Sequence, residues 1–522
     1  MADGAGWIRY RNVTYALRPG ERALDAMLRG GAAVGFSCRK GSCRSCMLQV
    51  IEGDPGEKSR ATLPPDMQAA GFFLPCSAEG FSGGVEAIDP DLGLCETEAL
   101  VADKSLMAEG ILRLQLEPAR TLTWLAGQSL TVMNPGGIGR SYSITSRPED
   151  YFLTLDIRIY AGGAVSSWLE REVQIGDTIR FRGPAGNFVY DPAMSGKPLL
   201  LIATGTGGGA ALGIVRDALA RGHVGPIRFY HGARTHDVLY LAAELAALNG
   251  PDLRVRQIAS QQRVANEPAA WVSDVAMADH PDLAGWTVFL CGSPDMVEAA
   301  RVKAVSAGAG LSDIVVDPFD PPTPYAPKDR EKLKQIKPDP ELWAALEHGR
   351  LLNDILEAFY TRVYADPRLE PFFHRVTKSR AIEKQYAFLR DIFTGTKQYF
   401  GEKPFNAHHW MVISDELFDH REALFFATVR DHGFPEGLVP RWAALHETFR
   451  REIVKTTPRG HFRNGVEHDL EGYQDEVVSV GTLCDSCGGE ISAGDRVRMH
   501  RRTGEIFCVD CARGQVQTSA WV

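Results

Sequence analysis

The chain has 522 residues, of which 44% are hydrophobic and 24% are charged, and its formal net charge is −9. This length is sufficient for several domains of about 100–200 residues each, and the composition is that of a globular protein. The negative net charge disfavours a general binder of nucleic acid or of an anionic membrane surface.

The N-terminus has no positively charged start that leads into an apolar segment, so we expect no signal peptide. The longest uncharged stretch, residues 198–215, contains five glycines and predicts a strand, a turn and a helix, not a membrane span. Eight of the ten cysteines fall into two sets of four. This grouping favours metal sites in a reducing cytoplasm over disulfides.

The first set of cysteines has the spacing of an iron–sulfur site. Cys38, Cys43 and Cys46 form a C-x4-C-x2-C pattern, and Cys76 lies further along the chain. Plant-type 2Fe-2S ferredoxins have this pattern. A zinc site is the alternative, but paired zinc ligands are usually closer than a four-residue gap allows. We therefore expect these four cysteines to hold a 2Fe-2S cluster in a ferredoxin domain over residues 1–96.

Residues 100–190 alternate apolar and polar side chains between turn signals, which predicts a small antiparallel barrel. Its motifs are Ala126-Gly-Gln-Ser129, Arg140-Ser-Tyr-Ser143, Gly162-Gly-Ala-Val-Ser166 and Gly183-Pro-Ala-Gly-Asn-Phe188. In this order they resemble the flavin domain of the ferredoxin–NADP reductase family.

That resemblance implies bound FAD. Arg140 would bind the flavin pyrophosphate, Tyr142 would pack on the isoalloxazine, and Ser143 would approach the reactive N5 atom. Backbone amides of the following turn would hold the phosphates, and they belong to Gly163, Val165 and Ser166.

A buried strand at 198–204 runs into a glycine-rich turn and then a helix, an arrangement that binds phosphate through free N–H groups. The phosphate-binding positions of this turn are Gly205, Thr206 and Gly207. The same family places a Cys-Gly-x-Pro-x-Met motif after a later strand, and residues 291–296 match it. The resemblance implies that Cys291 and Gly292 lie beside the reacting nicotinamide carbon, and Tyr230-His-Gly-Ala-Arg234 extends the match, with Arg234 at the cofactor. Alternating strands and helices across 196–319 predict a doubly wound nucleotide fold.

The coenzyme is expected to be NADH, with NADPH as the alternative. An adenosine 2′-phosphate usually requires an Arg after the strand that ends at Ser260, and here Gln261 and Gln262 precede Arg263. At the end of the domain, Phe319 lies where some members of the family carry an aromatic residue that shields the flavin.

Residues 320–339 begin with four prolines within eight residues and predict a semi-rigid linker. Helical spacing of apolar residues follows from Leu352 to Val363. A helical docking domain is the alternative, but the segment 359–373 resembles the opening of a truncated haemoglobin over 340–462.

The globin resemblance implies a haem b pocket. Tyr360 would be the distal tyrosine and Gln385 would face the bound ligand, while Phe373 and Phe388 would pack on the haem. In this family the iron ligand is expected five residues before the Ile that precedes the next helix. Ile413 is that residue here, so the resemblance selects His408 as the iron ligand, with His409 as the alternative. Arg421 stands where one subgroup has a pocket Trp, and Thr394-Gly395 replaces the usual Gly-Gly pair.

The last 45 residues contain the second set of cysteines, separated as CxxC–x20–CxxC. This spacing predicts a structural zinc site in a small module over 478–522. Its expected ligands are Cys484, Cys487, Cys508 and Cys511.

The expected fold class is therefore a multidomain α+β and α/β protein: a β-grasp ferredoxin, an antiparallel flavin barrel over 97–195, a doubly wound nucleotide domain, an all-α truncated globin and a zinc knuckle. Flavohaemoglobins join a globin to the same reductase pair and oxidise nitric oxide to nitrate with O2. Because a globin that is re-reduced at each turnover is an enzyme, the resemblance favours an NADH-dependent nitric oxide dioxygenase.

In this interpretation Tyr360 and Gln385 hydrogen-bond bound O2, while Tyr142, Ser143 and Cys291 serve hydride transfer. The alternative is a reductase component for a separate oxygenase, as in phenol or methane monooxygenase systems, with the globin as a gas sensor. Expected partners are O2, NO and an electron-accepting protein, and neither a membrane nor nucleic acid.

Overall fold

The computed structural model describes most of the chain, including the whole of 96–250 and 269–319. The remaining described residues are 6–17, 21–32, 34, 36, 41, 44–79, 81, 83–90, 252–263, 327–373, 376–399, 401–455, 459–463, 466–468, 472–478, 481–500 and 505–515. The chain divides into two compact units, residues 3–323 and 324–522.

The first unit opens with a five-stranded mixed sheet whose first strand, Trp7–Tyr10, pairs in parallel with Gly84–Ile88. The other strands of this sheet are Val13–Ala16, Leu48–Glu52 and Phe72–Phe73. Helices Ala23–Arg29 and Pro65–Ala69 accompany it, with short 3-10 helices at Glu57–Ser59 and Pro75–Ser77. Helix Ala23–Arg29 contributes Met27 to the apolar core beneath the sheet, where it meets Ile8 and Phe73.

A six-stranded antiparallel sheet follows, formed by Thr97–Ala108, Ile111–Pro118, Ser129–Met133, Gly139–Ser143, Leu153–Arg158 and Thr178–Ala185. A bridge between Ile144 and Leu155 joins the two edge strands, so the sheet closes into a barrel. Alternate side chains point inward, and Leu114, Val132 and Phe181 are among those that fill its core. Helix Ser166–Arg171 and the 3-10 helix Pro192–Met194 complete this region.

The third sheet is parallel and five-stranded. Its strands are Leu199–Thr204, Ile227–Ala233, Leu253–Ala259, Thr287–Gly292 and Ile314–Pro318. The first of them lies at the centre and pairs with the second and the fourth, so the chain crosses over in both directions. The helices between strands are Gly207–Ala220, Ala242–Ala246, Val272–Asp279 and Pro294–Ser306, with 3-10 helices at His236–Val238 and Leu311–Asp313.

The second unit is mostly helical. Its helices are Asp329–Gln335, Pro340–Ala345, Arg350–Ala365, Lys378–Thr394, Pro404–Ala407, Asp415–Asp431, Val439–Thr448 and Arg450–Ile453. Short 3-10 helices lie at Glu347–Gly349, Glu370–Phe372 and Glu436–Leu438. Aromatic rings in edge-to-face contact form the core, with Trp442 fully buried against Phe425 and Phe393.

Part of the segment predicted as a linker, residues 320–339, is helical. Residues 329–335 form a helix whose first residue, Asp329, is buried and accepts a hydrogen bond from the backbone N–H of Phe405. Lys332 donates to Glu452, whose side chain is fully buried. These two contacts hold the charged segment 329–335 against later residues of the chain, and composition alone does not reveal them.

The C-terminal region contains short strands and one helix. Strands His461–Arg463 and Val466–His468 pair with each other, as do Thr482–Leu483 and Glu490–Ile491. Tyr473–Val477, Arg496–His500 and Ile506–Phe507 form a three-stranded sheet, and Val509–Gln515 is helical. No helix in the described part of the chain is long and apolar enough to cross a membrane.

Candidate redox centres, haem pocket and zinc site

Two of the predicted cluster cysteines lie within the described residues, and both are buried. Cys46 is 3% exposed and Cys76 is 2% exposed. The carbonyl of Cys76 accepts a hydrogen bond from Arg22, and the carbonyl of Gly41 accepts one from Thr62 at 2.6 Å. Cys38 and Cys43 lie outside the described residues. The two buried thiols and the hydrogen bond that holds Gly41, five residues before Cys46, fit a 2Fe-2S cluster.

The predicted flavin residues lie on the barrel strand Gly139–Ser143 and the turn before helix Ser166–Arg171. Burial raises the pKa of Tyr142, so its phenol is neutral at physiological pH. In the turn, a Cβ on Gly163 would lie 2.5 Å from Oγ of Ser166, which accepts a hydrogen bond from the N–H of Tyr160. The same Cβ would lie 3.0 Å from the carbonyl oxygen of Tyr160, so a side chain at that position would crowd the turn.

The predicted nicotinamide residues meet at the carboxyl ends of two neighbouring parallel strands. Ala203 and Cys291 are register partners, and a Cβ on Gly207 would lie 2.8 Å from the carbonyl oxygen of Cys291. Gly292 has a φ of 120°, and a Cβ there would lie 2.4 Å from Oγ1 of Thr204. The glycine turn and the Cys-Gly motif therefore form one crevice, where a dinucleotide binds in this type of sheet.

Asp317, which sequence reasoning missed, connects the flavin strand to the nicotinamide crevice. Ser143 Oγ donates to Asp317 Oδ2 at 2.9 Å, and the thiol of Cys291 lies 3.9 Å from the same oxygen. Burial, reinforced by Asp317, raises the pKa of Cys291 well above its ordinary value, so the thiol stays protonated. In the sequence, Asp317 could be noticed as the single carboxylate near the end of the otherwise apolar strand Ile314–Pro318.

The other predicted cofactor residues lie around this crevice. Phe319 packs on the core of the nucleotide domain, and its N–H donates to the carbonyl of Gly292 at 2.8 Å. Thr206 precedes the helix Gly207–Ala220 and is buried. Arg234 is exposed at the end of the strand Ile227–Ala233.

A buried ion-pair network fixes the barrel against the nucleotide domain. Arg113 contacts Asp156 through two nitrogens, at 2.6 and 2.9 Å, and reaches Glu244 at 2.7 Å. Tyr240 donates to the same Asp156 carboxylate at 2.8 Å. Bidentate Arg–carboxylate pairs are directional, so this network orients the nicotinamide crevice relative to the flavin strand.

In the second unit, Tyr360 lies in a pocket of aromatic rings. Its ring is 5.2 Å from that of Phe359 and 5.8 Å from that of Phe373. Burial raises the pKa of Tyr360 to about 12, against the opposing charge of Arg421. Its hydroxyl has no hydrogen-bond partner among the described residues. A neutral tyrosine hydroxyl without a partner among the described residues fits a donor to a haem-bound ligand.

Gln385 and Phe388 both lie on the long helix Lys378–Thr394, and both are partly buried. The ring of Phe388 is 5.2 Å from Tyr399 and 6.0 Å from Phe449. The structure thus places Tyr360 and Phe373 together by direct ring contact, and Phe388 in a second aromatic group.

His408 and His409 differ in what surrounds the free ring nitrogen. His408 Nδ1 lies 2.8 Å from the carbonyl oxygen of Pro404. Since a carbonyl oxygen can only accept, Nδ1 carries the proton and donates this hydrogen bond. Burial lowers the pKa of His408 to about 4, so its imidazole is neutral, as iron ligation requires. His409 is 1% exposed, and its Nε2 is enclosed without a partner among the described residues, against the ring of His461 at 5.4 Å. Burial lowers the pKa of His409 to about 4 as well, so only the enclosure of its Nε2 separates the two rings, and His408 stays the predicted ligand with His409 as the alternative.

Arg421 is held over two aromatic faces. Its guanidinium carbon lies 4.8 Å from the ring centres of both Phe359 and Phe425. It also contacts Glu422 and His446, whose Nδ1 is 2.8 Å from the other oxygen of Glu422. Burial alone would raise the pKa of Glu422, but the charges of His446 and Arg421 outweigh it and lower the pKa to about 2.

The four C-terminal cysteines converge on one point, with their sulfur atoms within 4.8 Å of one another. A tetrahedral zinc with Zn–S bonds of about 2.3 Å separates its thiolates by about 3.8 Å, so the set fits this metal. Burial opposes ionisation of Cys484, but backbone N–H groups of Cys508, Cys487 and Ser486 outweigh it and lower its pKa to about 6. Such N–H to sulfur contacts are common around bound metals.

Comparison with known protein families identifies four domains. Residues 8–79 match the 2Fe-2S iron-sulfur cluster binding domain and residues 100–190 the oxidoreductase FAD-binding domain. Residues 201–302 match the oxidoreductase NAD-binding domain and residues 345–431 the bacterial-like globin. These matches confirm the predicted fusion and its 2Fe-2S, FAD, nicotinamide and haem cofactors.

Two curated relatives cover the reductase part. The reductase subunit of an aromatic O-demethylase from Amycolatopsis sp. is 34% identical over 300 residues, 55% of this chain and 90% of the relative. The ferredoxin–NAD(P)(+) reductase component of the naphthalene 1,2-dioxygenase/salicylate 5-hydroxylase systems of Ralstonia sp. is 30% identical over 321 residues, 58% of this chain and 94% of the relative.

Among solved structures, an Amycolatopsis cytochrome P450 reductase is 30% identical, with a TM-score of 0.45 over 61% of this chain and 99% of that chain. The sequence relatives and the matched domains define the class as an NAD(P)H-dependent iron–sulfur flavoprotein oxidoreductase. The chain belongs to the family of ferredoxin–NAD(P)H reductase components of oxygenase systems, and carries a globin in addition.

Proposed function

We propose that this chain is a reductase component that takes electrons from NADH and delivers them, from its 2Fe-2S cluster, to a separate oxygenase. The observation that carries the proposal is the 34% identity to the O-demethylase reductase subunit, aligned over 90% of that subunit. This function is the alternative that the sequence also predicts, and the relatives support it better than they support a nitric oxide dioxygenase.

When bound, FAD supplies the conversion of one two-electron hydride into two single-electron transfers. The residues of the chain prepare that step. The glycine turn at 205–207 and the Cys291-Gly292 crevice hold the nicotinamide end of the coenzyme, and Tyr142 and Arg140 hold the flavin. Asp317 accepts a hydrogen bond from the hydroxyl of Ser143, which orients that hydroxyl on the strand proposed to contact the flavin.

The buried, protonated Cys291 keeps a neutral side chain beside the reacting carbon. The absence of an Arg directly after Ser260 supports NADH over NADPH.

The globin defines a second candidate function, oxidation of nitric oxide with O2. The partner-free hydroxyl of Tyr360 and the neutral imidazole of His408 favour it, since they fit a distal donor and a proximal ligand. Under the main proposal the same pocket binds O2 or NO as a sensor of the gas that the oxygenase consumes. The zinc knuckle is proposed as a structural module attached to this domain.

The proposal is tested with purified protein, NADH and two acceptors. Ferricyanide accepts electrons from the flavin directly, whereas cytochrome c stands in for an oxygenase and requires the cluster. We expect wild-type protein to reduce both and the variant Cys46→Ser, which removes a cluster ligand, to reduce ferricyanide only. Reduction of cytochrome c by the variant at the wild-type rate would contradict the proposed route through the cluster.

A further inference from the structure

The loop that carries Cys46, called the cluster loop below, is attached to the flavin barrel by one buried arginine. Arg182, on the barrel strand Thr178–Ala185, donates through Nη1 to the carbonyl of Ser45 at 3.0 Å and to that of Arg44 at 3.4 Å. Its side chain is 8% exposed. The buried guanidinium thus contacts the two residues that immediately precede a cluster ligand.

The other side of the same guanidinium is held by a carboxylate. Arg182 Nε and Nη2 lie 3.1 and 3.0 Å from Oε1 of Glu96, whose side chain is 5% exposed. Because Arg presents its donors in a rigid planar fork, the pairing with Glu96 fixes the direction of Nη1 toward the loop.

A row of side chains continues from this arginine to the flavin strand. Thr131 is the register partner of both Arg182 and Ser141, so the three side chains lie on one face of three adjacent strands. Ser45 Oγ donates to Thr131 Oγ1 at 3.4 Å, and Thr131 Oγ1 is 3.1 Å from Ser141 Oγ. Ser141 lies between the two predicted flavin contacts, Arg140 and Tyr142.

This face is opposite to the core of the barrel. The neighbours of Thr131 along its strand, Leu130 and Val132, are fully buried in the apolar core, and side chains alternate along a strand. The cluster loop is therefore seated on the polar back of the sheet whose edge strand contacts the flavin.

We propose that Arg182 is a positioning residue for electron transfer from flavin to cluster: it clamps the cluster loop to the row formed by Thr131 and Ser141 and so fixes the separation of the two redox groups. The inference rests on the proposed function, in which electrons leave through the cluster. A loop held only by its own chain connections would sample longer separations, at which electron transfer is slow.

The test compares Arg182→Met with a matched control on the same strand. Arg180 also pairs with Glu96, at 3.3 Å, but it is 42% exposed and makes no hydrogen bond or ion pair with the described residues of the cluster loop. Arg180→Met therefore removes a cation from the same carboxylate and leaves the clamp in place. Arg182→Lys keeps the charge but loses the planar fork.

For Arg182→Met we expect an unchanged NADH–ferricyanide rate and a cytochrome c rate, per cluster counted by EPR, that falls on the order of 10- to 100-fold. Hydrogen exchange of the backbone over 44–52 should accelerate in the holoprotein. Arg180→Met should match wild type in both readouts, and Arg182→Lys should lie between.

An Arg182→Met protein with the wild-type ratio of the two rates, or an Arg180→Met protein with the same loss, overturns the proposal. If Arg182→Met does not retain the cluster, the variant Thr131→Val is tested instead. An unchanged cytochrome c rate in Thr131→Val also overturns the proposal. Failure of the proposed function is distinct, because wild-type protein itself would then not reduce cytochrome c. Hydrogen exchange would still decide whether Arg182 holds the loop.

Discussion

The hydroxyl of Ser143 lies 2.9 Å from Oδ2 of Asp317, although 174 residues separate them in the sequence. This hydrogen bond joins the flavin strand of the barrel to the last strand of the parallel sheet. Cys291 reaches the same carboxylate oxygen at 3.9 Å. One carboxylate thus contacts both the side chain expected beside the flavin, Ser143, and the side chain expected beside the nicotinamide, Cys291.

Removing this hydroxyl should slow flavin reduction without releasing FAD. In Ser143→Ala the flavin loses a neighbouring hydroxyl that Asp317 holds in place, and loss of one such preorganised polar group typically costs about 100-fold in rate. Stopped-flow absorbance of the flavin after mixing with NADH measures the effect. The control Ser105→Ala removes a hydroxyl from a barrel strand without predicted flavin contacts and should leave the rate unchanged. Equal rates in Ser143→Ala and wild type would remove Ser143 from the reaction.

Haem binding should depend on His408 and not on His409. We expect His408→Ala to lose haem or its five-coordinate ferrous spectrum, because His408 is partly exposed whereas His409 is buried. His409→Ala removes a ring enclosed against His461 and should retain the Soret band. The opposite pattern in the two variants would shift the proximal assignment by one residue.

The distal hydroxyl should protect bound O2. Tyr360→Phe keeps the ring contacts with Phe359 and Phe373 but removes the donor, so haem content should be unchanged. Loss of one donor to developing negative charge costs on the order of 100-fold. We expect autoxidation of the oxygenated protein, followed by its visible spectrum, to accelerate strongly. Phe359→Leu is the control for altered packing, and an unchanged autoxidation rate in Tyr360→Phe would refute the distal role.

The four C-terminal cysteines should bind metal that stabilises their own module only. Changing both Cys508 and Cys511 to Ser should release about one zinc per chain, since two thiolates cannot complete the tetrahedron. Elemental analysis measures the metal, and proteolysis of the last residues reports unfolding. NADH–ferricyanide activity should persist. If that activity is lost with the zinc, the module supports the reductase as well as itself.

Sequence motifs could predict the site where its residues are local. The pair Cys291-Gly292 and the glycine turn at 205–207 are short patterns whose spacing follows from one strand and one turn, and parallel pairing brings them together. The boundaries of helices could also be placed within a few residues. The apolar spacing from Leu352 to Val363 predicts a helix there, and the structure has a helix over Arg350–Ala365.

Contacts between distant segments could not be predicted in the same way. Asp317 becomes functional only because its strand pairs with that of Cys291 and faces Ser143. Arg182 looks like an ordinary barrel charge until the cluster loop is placed against it. The charged run at 329–335 is helical because Asp329 and Lys332 find buried partners far along the chain, which no local pattern records.

The central claim is that electrons from NADH leave this chain for a separate acceptor. The most direct test follows NADH loss and nitrate formation by the purified protein in aerated solution, with and without NO, and then with cytochrome c added. The account predicts little NADH loss until cytochrome c is present, and no dependence on NO. Rapid NADH loss that requires NO and yields equivalent nitrate without any added acceptor would contradict it and assign the electrons to the globin of the same chain.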